Sequence, residues 1–117
     1  MKLYEIYAGD ELKVAEKIQQ RRYQILIHSC IYYSMDQNIV SDDQWNVWSE
    51  ELKKLQNTYP DISKHVTLYD YFKDWDGSTG AFLPINLPWV ESKAKYLLEL
   101  HADPVVEVKK ESKRRLF

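Results

Sequence analysis

The stretch Tyr32-Tyr33-Ser34-Met35-Asp36, followed by Ser41-Asp42-Asp43-Gln44-Trp45-Asn46, sets aromatic rings, carboxylates and an amide close together in the chain. On residue types alone, Tyr32, Tyr33 and Trp45 would fill the contact between two helices. Asp42 would be an acid of a helix's first turn, where the positive end of the dipole favours it. Other groups with chemical potential form weaker patterns. His28, His65 and His101 are far apart, and none stands at metal-ligand spacing from a second His or a Cys. No nucleophile-elbow sequence supports a Ser/His/Asp arrangement. Cys30 reads as a small apolar packing residue rather than a nucleophile. Asp74-Trp75-Asp76-Gly77 begins like a calcium loop, but Gly77 comes too early and no Glu follows at the EF-hand distance, so a turn is expected.

The 117 residues are 44% hydrophobic and 29% charged, which fits one globular domain with one core. Nine tyrosines and four tryptophans make an aromatic core the expectation. A net charge of −2 gives no whole-molecule attraction to nucleic acid, so such contact would need a local patch. The candidate is the basic run Lys109–Arg115. A single cysteine rules out an internal disulfide and fits a reducing compartment. No apolar run reaches membrane-spanning length and the polar start Met1-Lys2-Leu3-Tyr4-Glu5 is unlike a secretory leader, so a cytoplasmic protein is expected.

These groups must be positioned by helices. Val14, Ile18, Ile25, Ser29 and Tyr32 recur at steps of three, four and seven, predicting one helix from Asp10, its N-cap, to about Tyr33. Ser41 with Gln44 three residues on is a capping box, and Trp45, Trp48, Leu52, Leu55 and Tyr59 continue a second amphipathic helix up to Pro60. The short connection makes the two antiparallel, packed through Ile18, Ile25, Trp48, Leu52 and Leu55. Residues 61–88 carry few periodic signals. Their loop from Asp74 to Gly80 is expected to be ordered, because Trp75 and Phe82 flank its glycines. A third helix starts near Pro88 and presents Val90, Ala94, Leu97 and His101. Leu3–Tyr7 reads as a strand or extended arm that could pair with Val105–Val108. The expected architecture is therefore mainly α, a single domain over residues 1–108 with a basic tail over 109–117.

His28, Tyr32, Tyr33, Asp36, Ser41-Asp42, Glu50-Glu51-Leu52, Leu55 and Tyr59-Pro60-Asp61 also follow the order and spacing of a known pattern. Across about residues 12–62, the chain resembles the N-terminal Ia domain of bacterial NAD-dependent DNA ligases. The loop Asp74–Leu83 and the third helix look more like small phage or prophage proteins related to that domain. The resemblance implies a small helical fold that grips the nicotinamide mononucleotide half of NAD, with Tyr32, Tyr33 and Asp42 as contacts. Aromatic faces suit a flat cationic ring, and a carboxylate can accept from ribose hydroxyls. Trp45-Asn46 departs from the family's Tyr-Asp. Trp45 keeps a stacking face without the phenol hydroxyl, and Asn46 lacks the negative charge.

Lys73-Asp74-Trp75-Asp76-Gly77 is one residue too long for the ligase Lys-x-Asp-Gly motif, and a chain of this length has no room for a nucleotidyltransferase fold. No enzymatic activity is expected. Three roles follow from these readings. The first is a non-catalytic Ia-like accessory protein that contacts a protein partner through its Trp-rich helix or the adjoining loop. The others are a weak binder of nicotinamide mononucleotide or NAD acting with a ligase in trans, and a nucleic-acid accessory protein using its basic tail.

Overall fold

The computed structural model describes residues 2–101, which form α1 (Leu3–Ile6), α2 (Gly9–Ser29), α3 (Asp42–Thr58), α4 (Pro60–His65), α5 (Tyr69–Phe72) and α6 (Pro88–His101). The protein is mainly helical, and no strand occurs among the described residues. Leu3–Ile6 is a helical turn, which corrects the expected strand. The Lys2 N–H donates to Glu5 Oε1 at 2.7 Å and the Tyr7 N–H to Leu3 O at 2.8 Å, and these local bonds outweigh the β preference of Tyr and Ile. The proposed pairing partner Val105–Val108 and the basic run Lys109–Arg115 lie outside the described residues.

α2 begins just before the expected point. Ala8 is its N-cap, so Asp10 lies in the first turn with Glu11 instead of capping. α3 starts at the expected cap, with the Gln44 N–H donating to Ser41 Oγ at 3.0 Å, but among the described residues the Gln44 side chain makes no return bond to Ser41, so half of the capping box forms. α2 and α3 run antiparallel: Arg21 Nε donates to Glu51 at 2.6 Å, Arg22 Nε donates to Gln56 at 2.8 Å, and the His28 ring lies 5.3 Å from that of Trp48. Ile18, Ile25 and Leu52 are fully buried between them, while Trp48 and Leu55 lie half-buried at the margin. α6 closes the core with Val90 and Ala94 against α2.

Arg22 is the one fully buried charged side chain among the described residues. Its Nη1 donates to Val66 O (2.9 Å) and Thr67 O (3.1 Å), and its Nη2 to Ser63 Oγ (2.6 Å) and Ser63 O (3.2 Å). The guanidinium thus ties α4 and the turn after it to the middle of α2. Nothing in its sequence neighbourhood distinguishes it from a solvated helix arginine.

Candidate functional site

Between α2 and α3 lies a cavity of about 310 Å³. Its lining includes Tyr32, Tyr33, Asp42, Trp45 and Asn46, so the fold brings together all five residues singled out from the sequence. Three local features make this possible. After Ser29 the helix widens into a π turn, Cys30–Ser34, closed by the Met35 N–H on Cys30 O at 3.2 Å. Tyr32 and Tyr33 project from this turn, 53% and 47% exposed, edge to face with centroids 4.9 Å apart. Asp36 then takes φ +54°, a left-handed conformation that Asp tolerates, and ends the turn. Asp36 itself is not part of the lining.

The opposite wall is the start of α3. Asp42 stands in its first turn beside the Ser41 cap, and Trp45 and Asn46 follow one turn later. Trp45 is half-buried, edge-on to Trp75 at 6.4 Å, while Asn46 is exposed. Tyr33 and Trp45 therefore do not close the gap between the helices by packing face against face.

The third wall, Ser78 and Thr79, was not anticipated from the sequence. No local pattern could reveal it, because Thr79 lies 46 positions beyond Tyr33 in the chain, with the two hydroxyls 2.8 Å apart. The loop carrying it is fixed from several sides. Trp75 Nε1 donates to Thr79 O at 2.7 Å, and Ser49 Oγ donates to Gly77 O at 2.6 Å. Gly77 has φ +87°, a backbone that glycine adopts without strain. Gly80 lies so close to α2 that a Cβ would overlap Ser29 Oγ. Asp76 accepts from the Ser78 N–H at 2.9 Å, the local turn chemistry expected of this stretch. Phe82 corrects one expectation, being 92% exposed; the loop is held by Trp75 and the glycine contacts, without Phe82.

The cavity is electrostatically one-sided. Asp42 is a carboxylate, and no Lys or Arg is among the lining residues. His28, also in the lining, is pushed down to about 4 by burial, with the nearby His101 adding to the effect, so it is neutral at pH 7. His28 Nδ1 and Ser29 Oγ are buried without a hydrogen-bond partner among the described residues, which leaves unused polar capacity beside the cavity. The arrangement offers aromatic faces, a carboxylate, an amide and hydroxyls: the equipment to hold a flat, positively charged or neutral ring.

No family model matches this chain, and no curated protein or solved structure matches it. The likeness to the ligase Ia domain rests on the residues quoted for it. Among the described residues, no helix is long and apolar enough to cross a membrane.

Proposed function

We propose that this chain is a non-catalytic, DNA-ligase-Ia-like accessory module, of phage or prophage type, whose cleft binds the oxidised nicotinamide ring of nicotinamide mononucleotide or NAD. The observation that carries this reading is the composition of one cavity wall set: Tyr32, Tyr33 and Trp45 around an opening whose charged group is the Asp42 carboxylate. A pyridinium ring gains from aromatic faces and from a nearby negative charge. The ligand's own phosphate finds no cation in this lining and would project to solvent. Oxidised nicotinamide mononucleotide and nicotinamide riboside should therefore bind with similar affinity, and the reduced, uncharged mononucleotide more weakly. Calorimetric titration of the three ligands tests this. Equal affinity for oxidised and reduced forms, or binding of none at millimolar concentration, removes the reading.

A protein-partner role is favoured by a separate observation. Phe82 is almost wholly exposed on the loop that walls the cleft, and Val47 is exposed on α3. Exposed apolar side chains of this size are ordinary singly but serve as anchors when a partner covers them. A defined complex that survives Phe82→Ser unchanged would remove Phe82 as the anchor.

A further inference from the structure

A second cavity, of about 360 Å³, opens among α3, α4 and the segment after α5. Three lysines reach it from three different elements: Lys53 from α3, Lys64 from α4 and Lys73 from the end of α5. None of them forms an ion pair among the described residues. The one carboxylate in the lining, Asp76, accepts from both the N–H and the hydroxyl of Ser78, at 2.9 and 2.7 Å, and its negative charge offsets Lys53 in part, without forming an ion pair.

The charge beneath this cavity has the same sign. Gln56, Ser63 and Tyr69 line it and also surround the buried Arg22 guanidinium, which donates to Gln56 and Ser63 and lies 5.9 Å from the Tyr69 ring. Every hydrogen-bond acceptor of Arg22 is neutral. Burial lowers this group to about 10, which still leaves it charged at pH 7. A cation held in a low-dielectric interior without a carboxylate projects its field into the adjoining space. A concave site thus carries three exposed ammonium groups against the single carboxylate of Asp76, with a further positive charge behind its floor, in a chain whose net charge is −2.

We infer that this lysine-lined cavity is a binding site for the phosphate group of a small phosphorylated compound. Lysines act on phosphate as mobile point charges, and Asn57 and Tyr69, residue types with neutral donors, line the same cavity. The site is separate from the aromatic cleft and does not depend on what that cleft binds.

Inorganic pyrophosphate, titrated into the full chain at low salt and followed by amide chemical shifts, tests the inference. The expected result is saturable shifts at the residues of α3, α4 and the α5 end that line this cavity, weakening as salt is added. Lys53→Gln with Lys64→Gln and Lys73→Gln should reduce affinity by about tenfold or more, equivalent to about 1.4 kcal/mol. Lys93→Gln with Lys95→Gln, exposed on α6, should leave it unchanged. Lys73→Gln alone provides a milder variant, expected to show a partial loss. A single-stranded oligonucleotide that competes with pyrophosphate and is weakened by the same three substitutions would assign the same phosphate site to a nucleic-acid strand. No saturable shift, or equal affinity in the triple variant and the α6 control, overturns the inference.

Discussion

The hydroxyls of Tyr33 and Thr79 meet at 2.8 Å, joining the π turn at the end of α2 to the loop after α5 and closing one side of the aromatic cleft. That junction depends on Gly80, since any side chain there meets Ser29 on α2. Gly80→Ala should lift the loop and destabilise the protein by about 1–3 kcal/mol, the range for overpacking a tight contact. Denaturant unfolding measures it. An unchanged midpoint would show that the loop can shift freely.

Arg22 carries the second prediction. Arg22→Met leaves the carbonyls of Ser63, Val66 and Thr67 without their donor, which should cost about 2–4 kcal/mol. Arg22→Lys should recover only part, because one ammonium cannot reach Gln56 on α3, Ser63 in α4 and the Val66 and Thr67 carbonyls after it at once. Full recovery by lysine in chemical denaturation would mean that the forked geometry is unimportant.

His28 makes stability depend on pH. Its ordinary value of 6.5 falls to about 4 in the fold, through burial first and His101 second. Between these values the unfolded chain takes up a proton that the folded chain refuses, so this residue's contribution to stability falls as pH drops from about 6.5 towards 4. Thermal midpoints of His28→Gln should therefore decline less steeply over that window than those of the parent. Parallel declines would show that carboxylates alone set the acid limb.

What was legible in the sequence divides along physical lines. α3 could be read because its cap is local, Ser41 to Gln44, and its apolar stripe is long enough to show a period. α6 was marked by Pro88. α4 and α5 are too short for periodicity and left no signal. The π turn has no composition of its own, yet it presents Tyr32 and Tyr33 to the cleft. The role of Arg22 has no local signature, because burial of a charge is decided by distant partners, here the residues from Ser63 to Thr67. The five cleft residues are legible as a cluster of aromatic, acidic and amide side chains near one another in the sequence, whereas Ser78 and Thr79 join the site only by tertiary contacts.

The departure at Trp45-Asn46 gives a further test. Trp45→Tyr with Asn46→Asp restores one hydroxyl and adds one negative charge to a wall already carrying Asp42. The affinity for nicotinamide mononucleotide should rise by ~1–3 kcal/mol. Calorimetry on parent and variant decides, and equal affinities would place the determinants of binding elsewhere in the cleft.

The most direct measurement follows the indole N–H resonance of Trp45 while oxidised nicotinamide mononucleotide is added to the full chain. Binding in the cleft requires a saturable shift at Trp45 that is accompanied by shifts at Asn46 and Thr79 and abolished by Tyr32→Ala with Tyr33→Ala. A Trp45 resonance that stays in place at millimolar ligand, or the same shift in the double alanine variant, would contradict the cleft as a nicotinamide site.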